Sequence, residues 1–485
     1  MSATQTERNR WKALVVLCVG MLMIILDSTI VNVALPSIQD DLGFSQSSLA
    51  WVVNAYLIAF GGLLLLAGRI GDLVGPRRVF LLGLAIFTSA SLLCGLADSQ
   101  ALLIGARFVQ GVGGALTSAV ILGMIVTMFP QPVERAKAIG IYSFVASAGA
   151  SLGLLAGGAL TQWINWHWIF FVNLPIGVAT AWYALRLVED RRGAGIGRGA
   201  DVLGAALVTS AVMVLVYTIL EAGDHGWGST HTLGFGALAV ALLVGFVVRQ
   251  ARAANPLIRL AILRSRNVSG ANLVQMLMVS GLLGMFFLGV LYMQRLLGYD
   301  AIETGLAFLP VAVIIGVLSL TVSARLNTRF GERAVLLPGL AFVLAGLALF
   351  ARAPLHAGYF SDVLPAVVLL GIGAGLSFPS LMTLSMMGVQ PQEAGLASGL
   401  INTSLQVGGA LGLAVLASLA TTHTASLRAG GATSSVAVLG GYHFAFWVAS
   451  GLAGGALVLA LAILRAEVRV ERAVERMAEA TLESA

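Results

Sequence analysis

Fourteen apolar stretches of about 20 residues constrain the fold of this chain more than any other feature. A helix rises about 1.5 Å per residue, so each stretch can cross a hydrocarbon layer about 30 Å thick. Hydrophobic residues fill 58% of the 485 positions and charged residues 10%, whereas a soluble domain carries about 25% charged residues. The pattern predicts an all-α polytopic membrane protein with spans at 13–35, 48–67, 79–97, 101–128, 138–160, 168–187, 202–220, 232–248, 268–293, 303–324, 334–351, 363–387, 395–420 and 441–464.

The basic residues indicate the orientation of the spans. With the N-terminus inside, 24 of the 28 Lys and Arg residues fall in inner segments. Three lie outside (Arg295, Arg352 and Arg428) and one, Arg107, lies within a span. This distribution predicts a multi-pass protein of the cytoplasmic membrane with both termini cytoplasmic. The net charge of +6 therefore reflects topology, and we expect no nucleic-acid partner. The first span has no clear cleavage site and is expected to be retained.

An internal repeat predicts two related halves. The segment "GRIGDLVGPRRV" (68–79), after the second span, aligns without gaps to "ARLNTRFGERAV" (324–335), after the tenth. The alignment pairs Arg69, Gly75, Arg77 and Val79 with Arg325, Gly331, Arg333 and Val335. We predict pseudo-symmetric six-helix bundles at 1–195 and 263–466, two inserted helices at 196–262 and a cytoplasmic tail at 467–485. Related halves of this kind are typical of transporters that bind substrate near the midplane, between the halves.

Two ionisable residues lie deep inside apolar spans. Asp27 lies about 21 Å along the first helix, near the middle of the hydrocarbon layer. Such residues normally face a cavity or a charged partner and mark functional sites. One stripe of the fourth span is polar or small, at Arg107, Gln110, Gly111, Gly114 and Ser118, and is expected to face the interior. Burial favours the protonated form of a carboxyl group, so Asp27 is a candidate for proton exchange. The alternative is a purely structural ion pair with Arg107.

Five segments together resemble the major facilitator superfamily, specifically its fourteen-spanner drug:proton antiporters. They are "LDSTIVNVALP" in the first span, "GRIGDLVGPRR" after the second, "RFVQGVGGAL" in the fourth, "WIFFVNLPIG" in the sixth and "GLASGLINTSLQVGGALG" in the thirteenth. The resemblance implies export driven by the proton gradient with no other cofactor, and Asp27 and Arg107 as the proton-coupling residues. It also implies a gating loop formed by Gly68, Arg69, Asp72, Gly75, Arg77 and Arg78.

In the family, the loop aspartate latches onto the start of the thirteenth helix, here near residues 392–396. An aspartate at a helix N-terminus gains about 0.3–1 kcal/mol. The alternative is a solvated loop whose basic residues only set the topology.

The sequence departs from the family pattern at two positions. Leu154 stands where the fifth-helix motif has a proline, so bending there must rest on the glycines Gly149, Gly153, Gly157 and Gly158. His167 stands between Trp166 and Trp168, where the family has an arginine. The missing proline keeps an uncoupled facilitator open as an alternative to an antiporter.

Other function classes lack their motifs. "GVGGA" (111–115) lies inside an apolar span with no preceding strand, which favours helix packing over a dinucleotide loop. The chain has no GxxxxGK[ST] loop for ATP, and its six histidines have no metal-ligand spacing. The two cysteines lie in apolar segments, so a disulfide framework is not expected. We therefore expect no metal and no enzyme activity, with a membrane enzyme or scaffold as the alternative outside transport.

The predicted substrate cavity combines aromatic, amide and methionine side chains from four spans. These are Trp51, Asn54, Tyr56, Gln110, Met285, Phe286, Asn402 and Gln406, each of which could instead serve packing or face lipid. Methionine-rich surfaces suit varied ligands. One deep carboxylate can hardly balance a proton and a dication, so we predict neutral or monocationic amphiphiles, carried by a monomer in the lipid bilayer. A lipid flippase on the same scaffold is the main rival.

Overall fold

The computed structural model describes residues 3–190, 193, 201–254, 256–258, 260–387 and 394–464, and all regular structure within them is helical. In chain order the α-helices are α1 (Ala3–Leu42), α2 (Gln46–Val74), α3 (Pro76–Gly95), α4 (Gln100–Met128), α5 (Pro132–Trp163), α6 (Trp168–Phe171), α7 (Asn173–Leu187), α8 (Val202–His225), α9 (Thr230–Arg252), α10 (Arg266–Arg295), α11 (Ala301–Val317), α12 (Ser323–Phe330), α13 (Glu332–Phe350), α14 (Leu364–Met386), α15 (Ala394–Ala429) and α16 (Ser434–Ile463). A 3₁₀-helix spans Leu260–Arg264, and π-turns span Leu318–Val322 and Tyr359–Val363.

The predicted all-helical membrane fold is confirmed. Within the described residues, thirteen spans are long and apolar enough to cross a membrane. Helix α5 brings the total to the predicted fourteen, although only some of its side chains are described. Two predicted spans are built from two helices each: α6 and α7 form one, and α11 and α12 form another through the π-turn Leu318–Val322.

Local chemistry fixes where several helices begin. Ser45 accepts a hydrogen bond from Ser48 N and caps α2. At α11, Asp300 and Glu303 form a reciprocal capping box that fixes the start of the tenth span. The connection between α2 and α3 is much shorter than expected: α2 runs on to Val74, because the first helix breakers are Gly75, with φ 117°, and Pro76.

The two predicted halves repeat the same helix packing. In the first, α1 packs on α5 and α7, α3 packs on α4 and α7, and α2 packs on α4. In the second, α10 packs on α15 and α16, α13 packs on α14 and α16, and α11 packs on α14. Each contact in one half has its counterpart in the other. The predicted boundaries at 195 and 466 lie outside the described residues.

Two helix pairs, α2–α15 and α5–α11, make the most extensive contacts between the halves, and α1 also contacts α10. On α2, a Cβ at Gly61 would lie 2.5 Å from Gln406 Cβ on α15. On α5, a Cβ at Gly158 would lie 2.7 Å from the Ala301 carbonyl oxygen on α11. Only residues without a side chain allow the helices to come this close. The two contacts are related by the same internal symmetry as the halves.

The predicted inserted pair, α8 and α9, lies against one of these junctions. Helix α8 packs on both α2 and α15, and Thr209 of α8 lies where a side chain at Gly62 would be. At the predicted inner end, Leu66 of α2, Ala205 of α8 and Leu257 form a buried cluster. The inserted helices therefore touch both halves along the α2–α15 junction. We use "inner" and "outer" in the sense that the charge distribution predicts.

Candidate functional site

Asp27 lies in the middle of α1 and is fully buried. Its Oδ2 accepts a hydrogen bond from Arg107 Nη1 at 2.7 Å. Its Oδ1 accepts one from Gln110 Nε2 at 2.7 Å and one from Asn173 Nδ2 at 2.8 Å. A buried charge is costly unless it is paired and hydrogen-bonded. Three donors from α4 and α7 meet that need here, so the structure brings the two predicted proton-coupling residues into direct contact.

Arg107, 1% exposed, links α4 to two neighbouring helices. Besides its contact with Asp27, its Nη1 lies 2.6 Å from Gln110 Oε1 and its Nε donates to the Val52 carbonyl on α2 at 3.0 Å. Its guanidinium carbon lies 4.4 Å from the centre of the Tyr56 ring, within cation–π range. The guanidinium is therefore held from three sides, and moving it requires α1, α2 or α4 to move.

Two residues of this cluster were not singled out from the sequence. Asn173 lies within the quoted sixth-span segment, and an amide in an apolar run was a signal that could have identified it. Ser91 accepts from Gln110 Nε2 at 2.8 Å and donates to the Phe87 carbonyl at 2.9 Å. A serine in a helix commonly bonds its own preceding turn, so the sequence carried no signal for Ser91.

Glycines let the helices that carry the cluster approach closely. A Cβ at Gly111 on α4 would lie 2.5 Å from the Tyr56 carbonyl oxygen on α2. On α5, a Cβ at Gly149 would meet Leu22 at 2.9 Å, one at Gly153 would meet the Leu26 carbonyl at 3.0 Å, and one at Gly157 would meet the Ile30 carbonyl at 2.6 Å. Three of the four predicted antiporter-helix glycines thus face α1, the helix that carries Asp27. The fourth, Gly158, faces α11 across the junction of the halves.

The predicted gating loop is mostly helix. Gly68, Arg69 and Asp72 belong to the last turns of α2, and Asp72 is exposed. Arg77 Nη2 donates to the Leu185 carbonyl near the end of α7. Arg78 lies 3.4 Å from Asp190, and both side chains are largely exposed. The proposed docking partner of Asp72, residues 392–396, falls where the structure describes no side chains.

The predicted cavity residues on α2 and α4 fall into two groups. Tyr56 and Gln110 belong to the buried cluster around Asp27. Trp51 is half-buried against the core. Asn54 is fully buried, and neither polar atom of its amide has a hydrogen-bond partner among the described residues. Buried polar groups are normally satisfied, so Asn54 is suited to a ligand or water partner.

The predicted cavity residues of the second half are likewise spread out. Met285 is fully buried, and half-buried Phe286 has its ring centre 5.2 Å from that of Phe308. Gln406 packs against Gly61 at the junction of the halves, while Asn402 is exposed. Gln406 thus contacts the first half directly.

The departures from the family pattern have clear positions. Leu154 is buried, and its carbonyl oxygen lies 2.6 Å from where a Cβ at Gly305 of α11 would be, at the α5–α11 junction. Trp166 donates from Nε1 to Asp41 Oδ2 at 2.9 Å, and His167 Nε2 lies 3.8 Å from the same oxygen. His167 therefore lies beside an acid at the outer end of α1, where an arginine would form a permanent ion pair.

Comparisons with known proteins agree with this architecture. Residues 17–413 match the family model described as Major Facilitator Superfamily. The chain is 39% identical over 455 residues to the puromycin resistance protein pur8 of Streptomyces alboniger, covering 93% of this chain and 90% of that protein. It is 39% identical over 409 residues to the cephamycin export protein CmcT of Amycolatopsis lactamdurans, covering 83% and 84% respectively.

Among solved structures, the fold resembles an inward-facing, unoccupied bacterial homologue of the human lysosomal transporter Spinster. The TM-score is 0.68 at 18% identity, with 93% of this chain and 96% of that chain covered. The likeness at this identity concerns the fold alone, whereas the sequence matches extend to the family. The chain therefore belongs to the major facilitator superfamily and is a membrane transporter rather than an enzyme.

Proposed function

We propose that this protein is a proton-coupled antiporter that exports amphiphilic drugs or natural products by alternating access, with Asp27 exchanging the proton. The observation that carries the proposal is a fully buried carboxylate in the first span, held by donors from α4 and α7. The relatives, whose names describe export of or resistance to antibiotics, support the direction of transport. We further propose that it works as a monomer in the cytoplasmic membrane with both termini inside.

The geometry supports a physical link between proton binding and helix movement. When Asp27 takes up a proton, Arg107 loses the charge that balances its own. Leaving one member of a buried pair uncompensated costs about 3–5 kcal/mol. Arg107 would keep only neutral partners, namely the Val52 carbonyl, Gln110 Oε1 and the Tyr56 ring. The protonated state therefore favours a rearrangement of α1 relative to α4, which is what coupling requires.

The charge inventory of the spans supports neutral or monocationic substrates. Among the described residues, Asp27 is the only Asp or Glu buried inside a span. Asp201, the other buried acid, caps the start of α8 at a membrane edge. In the structure Arg107 already balances the charge of Asp27, so the described spans hold no further buried acid to balance a charged substrate. A dication would bring two unbalanced charges into a low-dielectric site and a monocation only one, which favours neutral or monocationic substrates.

Export from proteoliposomes under an imposed pH gradient tests the proposal. Wild type, Asp27→Asn and the matched exposed control Asp98→Asn are compared with neutral, monocationic and dicationic amphiphiles. We expect wild type and the control to export the first two classes and to move protons when substrate is added. Asp27→Asn should lose gradient-driven export by at least about a hundredfold. Export that remains gradient-driven in Asp27→Asn would refute the role of Asp27, and substrate movement without proton flux would indicate a facilitator.

We also propose that Asp72, exposed in the last turn of α2, latches the predicted inner side of the transporter. Asp72→Asn keeps the shape of the side chain but removes the charge that a helix N-terminus attracts. Transport should fall while expression stays normal. Transport rates equal to those of wild type would exclude the latch.

A further inference from the structure

A cavity of about 330 Å³ lies at the predicted outer mouth of the transporter, where the two halves meet. Gln39 and Gln46 contribute to it from the first half. Arg295, Arg428 and Tyr442 contribute from the second. The cavity is separate from the Asp27 cluster, which lies in the interior of the first half.

The charge of this lining is unusual for the outer side. Only three of the 28 basic residues lie in outer segments, and two of them, Arg295 and Arg428, line this one cavity. Two guanidinium groups around one cavity repel each other and attract an anion. The third outer arginine, Arg352, lies elsewhere, with its guanidinium carbon 5.4 Å from the centre of the Trp447 ring.

The two arginines differ in how they are neutralised. Arg295 Nη2 forms an ion pair with Asp40 on α1 and also donates to the Pro36 carbonyl at 3.2 Å. Arg428 Nη2 donates to Ser434 Oγ, a neutral acceptor, at 3.1 Å. No acid in the described part of the chain lies within ion-pair distance of Arg428. The cavity therefore carries one positive charge that the described residues leave unbalanced.

The remaining lining adds hydrogen-bond donors. Gln46 Nε2 is buried, and no described residue accepts a hydrogen bond from it. Tyr442, 3% exposed, contributes a phenol from α16. Buried donors normally have acceptors, so a donor-rich lining with excess positive charge calls for an acceptor-rich ligand.

We propose that this cavity is an oxyanion site that binds a carboxylate or phosphate group through Arg295, Arg428, Tyr442 and Gln46. The proposal goes beyond the export function and does not depend on proton coupling. Because Arg295 also holds Asp40 of the other half, a bound oxyanion competes with Asp40 for the same guanidinium. Anion binding therefore weakens the outer contact between α1 and α10.

Inorganic phosphate is the probe. The purified full-length protein in a neutral detergent is titrated with phosphate at constant ionic strength, with chloride as the replaced anion. The readout is the midpoint of thermal unfolding, because a ligand that binds only the folded state raises it. Arg428→Gln removes the unbalanced charge, and Arg352→Gln is the matched control, an outer arginine outside the cavity.

We expect wild type and Arg352→Gln to show the same saturable rise. Arg428→Gln should raise the half-saturating phosphate concentration by about tenfold, the loss of one charge-assisted contact. Tyr442→Phe should raise it by about threefold, because it removes one hydroxyl. An unchanged titration in Arg428→Gln, or an equal loss in Arg352→Gln, would overturn the site.

Asp40→Asn tests the competition separately, because in this variant we expect tighter phosphate binding. Freeing Arg295 from its ion pair should lower the half-saturating phosphate concentration by about threefold or more. A variant that merely disturbed the fold would weaken binding instead. Unchanged or weaker binding in Asp40→Asn would refute the competition with Asp40.

Vesicles distinguish the two sources of the anion. The phosphate titration is repeated in membranes of phosphatidylcholine alone and of phosphatidylcholine with phosphatidylglycerol. If a lipid headgroup occupies the cavity, phosphatidylglycerol suppresses the response to free phosphate in wild type, and Arg428→Gln shows no such competition. If a dissolved oxyanion is the natural ligand, the response is the same in both membranes.

Discussion

The two halves of the transporter share one architecture but differ at the position of Asp27. Arg77 donates to the Leu185 carbonyl near the end of α7, and its repeat partner Arg333 donates to the Leu461 carbonyl near the end of α16 at 2.8 Å. The Nε atoms of both arginines are buried without a partner among the described residues. Gly331 has a positive φ of 88°, and its repeat partner Gly75 also has a positive φ. The sequence repeat is therefore also a repeat of contacts.

The same correspondence holds between the third and fourth helices of each half. A Cβ at Gly83 on α3 would lie 2.8 Å from the Gly113 carbonyl on α4. A Cβ at Gly339 on α13 would lie 3.1 Å from the Gly373 carbonyl on α14. These contacts fix the register, so any residue near Asp27 can be matched to its counterpart in the second half.

The counterparts of the Asp27 cluster are apolar. Ser91, Arg107, Gln110 and Asn173 correspond to Leu347, Val367, Leu370 and Ala449, all fully buried. Gly281 takes the position of Asp27, because a Cβ there would meet the Ala449 carbonyl at 3.0 Å and Leu347 at 3.2 Å. The second half therefore packs without a charged residue at the position that corresponds to Asp27. Replacing a buried ion pair by apolar residues is often neutral or stabilising, so the polar cluster in the first half is better explained by function than by folding.

The largest expected effect comes from placing an acid in the apolar copy. Gly281→Asp would bury a carboxylate where the counterparts of the Asp27 partners are apolar side chains that cannot donate a hydrogen bond, at a cost of several kcal/mol or more. We expect no folded protein on size-exclusion chromatography. Gly281→Ala, which adds only the crowded Cβ, should fold with a loss of about 1–3 kcal/mol. Equal stability of the two variants would mean that the second half can also accommodate a buried charge. The difference between the two halves would then not depend on their buried surroundings.

The next effect concerns the ion pair itself. Arg107→Leu leaves Asp27 without its cation and should cost about 3–5 kcal/mol. In the double variant Asp27→Asn/Arg107→Leu, the amide oxygen introduced on α1 can still accept from Gln110 and Asn173, so most of that loss should be recovered. Thermal unfolding of the two single variants and the double variant measures the coupling.

The double variant should nevertheless export nothing under a pH gradient. Stability near that of wild type together with absent transport would separate function from folding in this cluster. If the double variant loses as much stability as the two single variants combined, each residue stabilises the fold independently of the other, which would contradict the conclusion drawn from the apolar second half.

A smaller effect tests whether the repeated arginines are equivalent. Arg77→Gln and Arg333→Gln each remove a charge-assisted hydrogen bond to a carbonyl near a helix end, worth about 1–2 kcal/mol. We expect similar decreases in the unfolding midpoint. Arg78→Gln is the control, since its ion pair with Asp190 is largely exposed and worth about 0–1 kcal/mol. Unequal losses at Arg77 and Arg333 would mean that the two halves are related in their helix packing but not in these arginine contacts.

The sequence predicted the parts of this molecule that follow from periodicity and charge. Span number, the repeat, and Asp27 and Arg107 as deep ionisable residues all rest on local patterns. Asn173 and Ser91 join Asp27 through contacts between distant helices, which no local pattern encodes. Met285 was predicted to line the cavity because of its residue type, whereas the structure buries it fully. Which face of a helix is directed towards a cavity depends on the helices packed against it. The α2–α3 loop was overestimated because a hydropathy window ends before the helix does.

The smallest effect concerns the inserted helices, which have no counterpart in the repeat and lie along the α2–α15 junction. Asp201 caps α8 through Gly204 N at 3.0 Å and accepts from Arg249 at 2.9 Å and Gln250 at 2.8 Å. Gln250 in turn accepts from Ile258 N, next to the cluster at Leu66 of α2. Burial raises the pKa of the Asp201 carboxyl, but these hydrogen bonds outweigh it and lower the pKa below its ordinary value.

Asp201→Asn keeps the cap at Gly204 N, because asparagine caps as well as aspartate. It loses the charge that pairs with half-exposed Arg249, worth about 0.2–1 kcal/mol, and the hydrogen bond from Gln250, because an amide nitrogen in place of Oδ2 cannot accept one. Asp201→Ala should cost about 1 kcal/mol more. A carboxyl whose pKa is lowered in the folded state stabilises it at every pH above the unfolded pKa, near 3.9, and loses that contribution only as the pH falls through the folded value. The difference in unfolding midpoint between wild type and Asp201→Asn should therefore stay constant from about pH 8 to pH 5. A difference that changes within that range would mean that another titrating group holds the inserted helices against the junction.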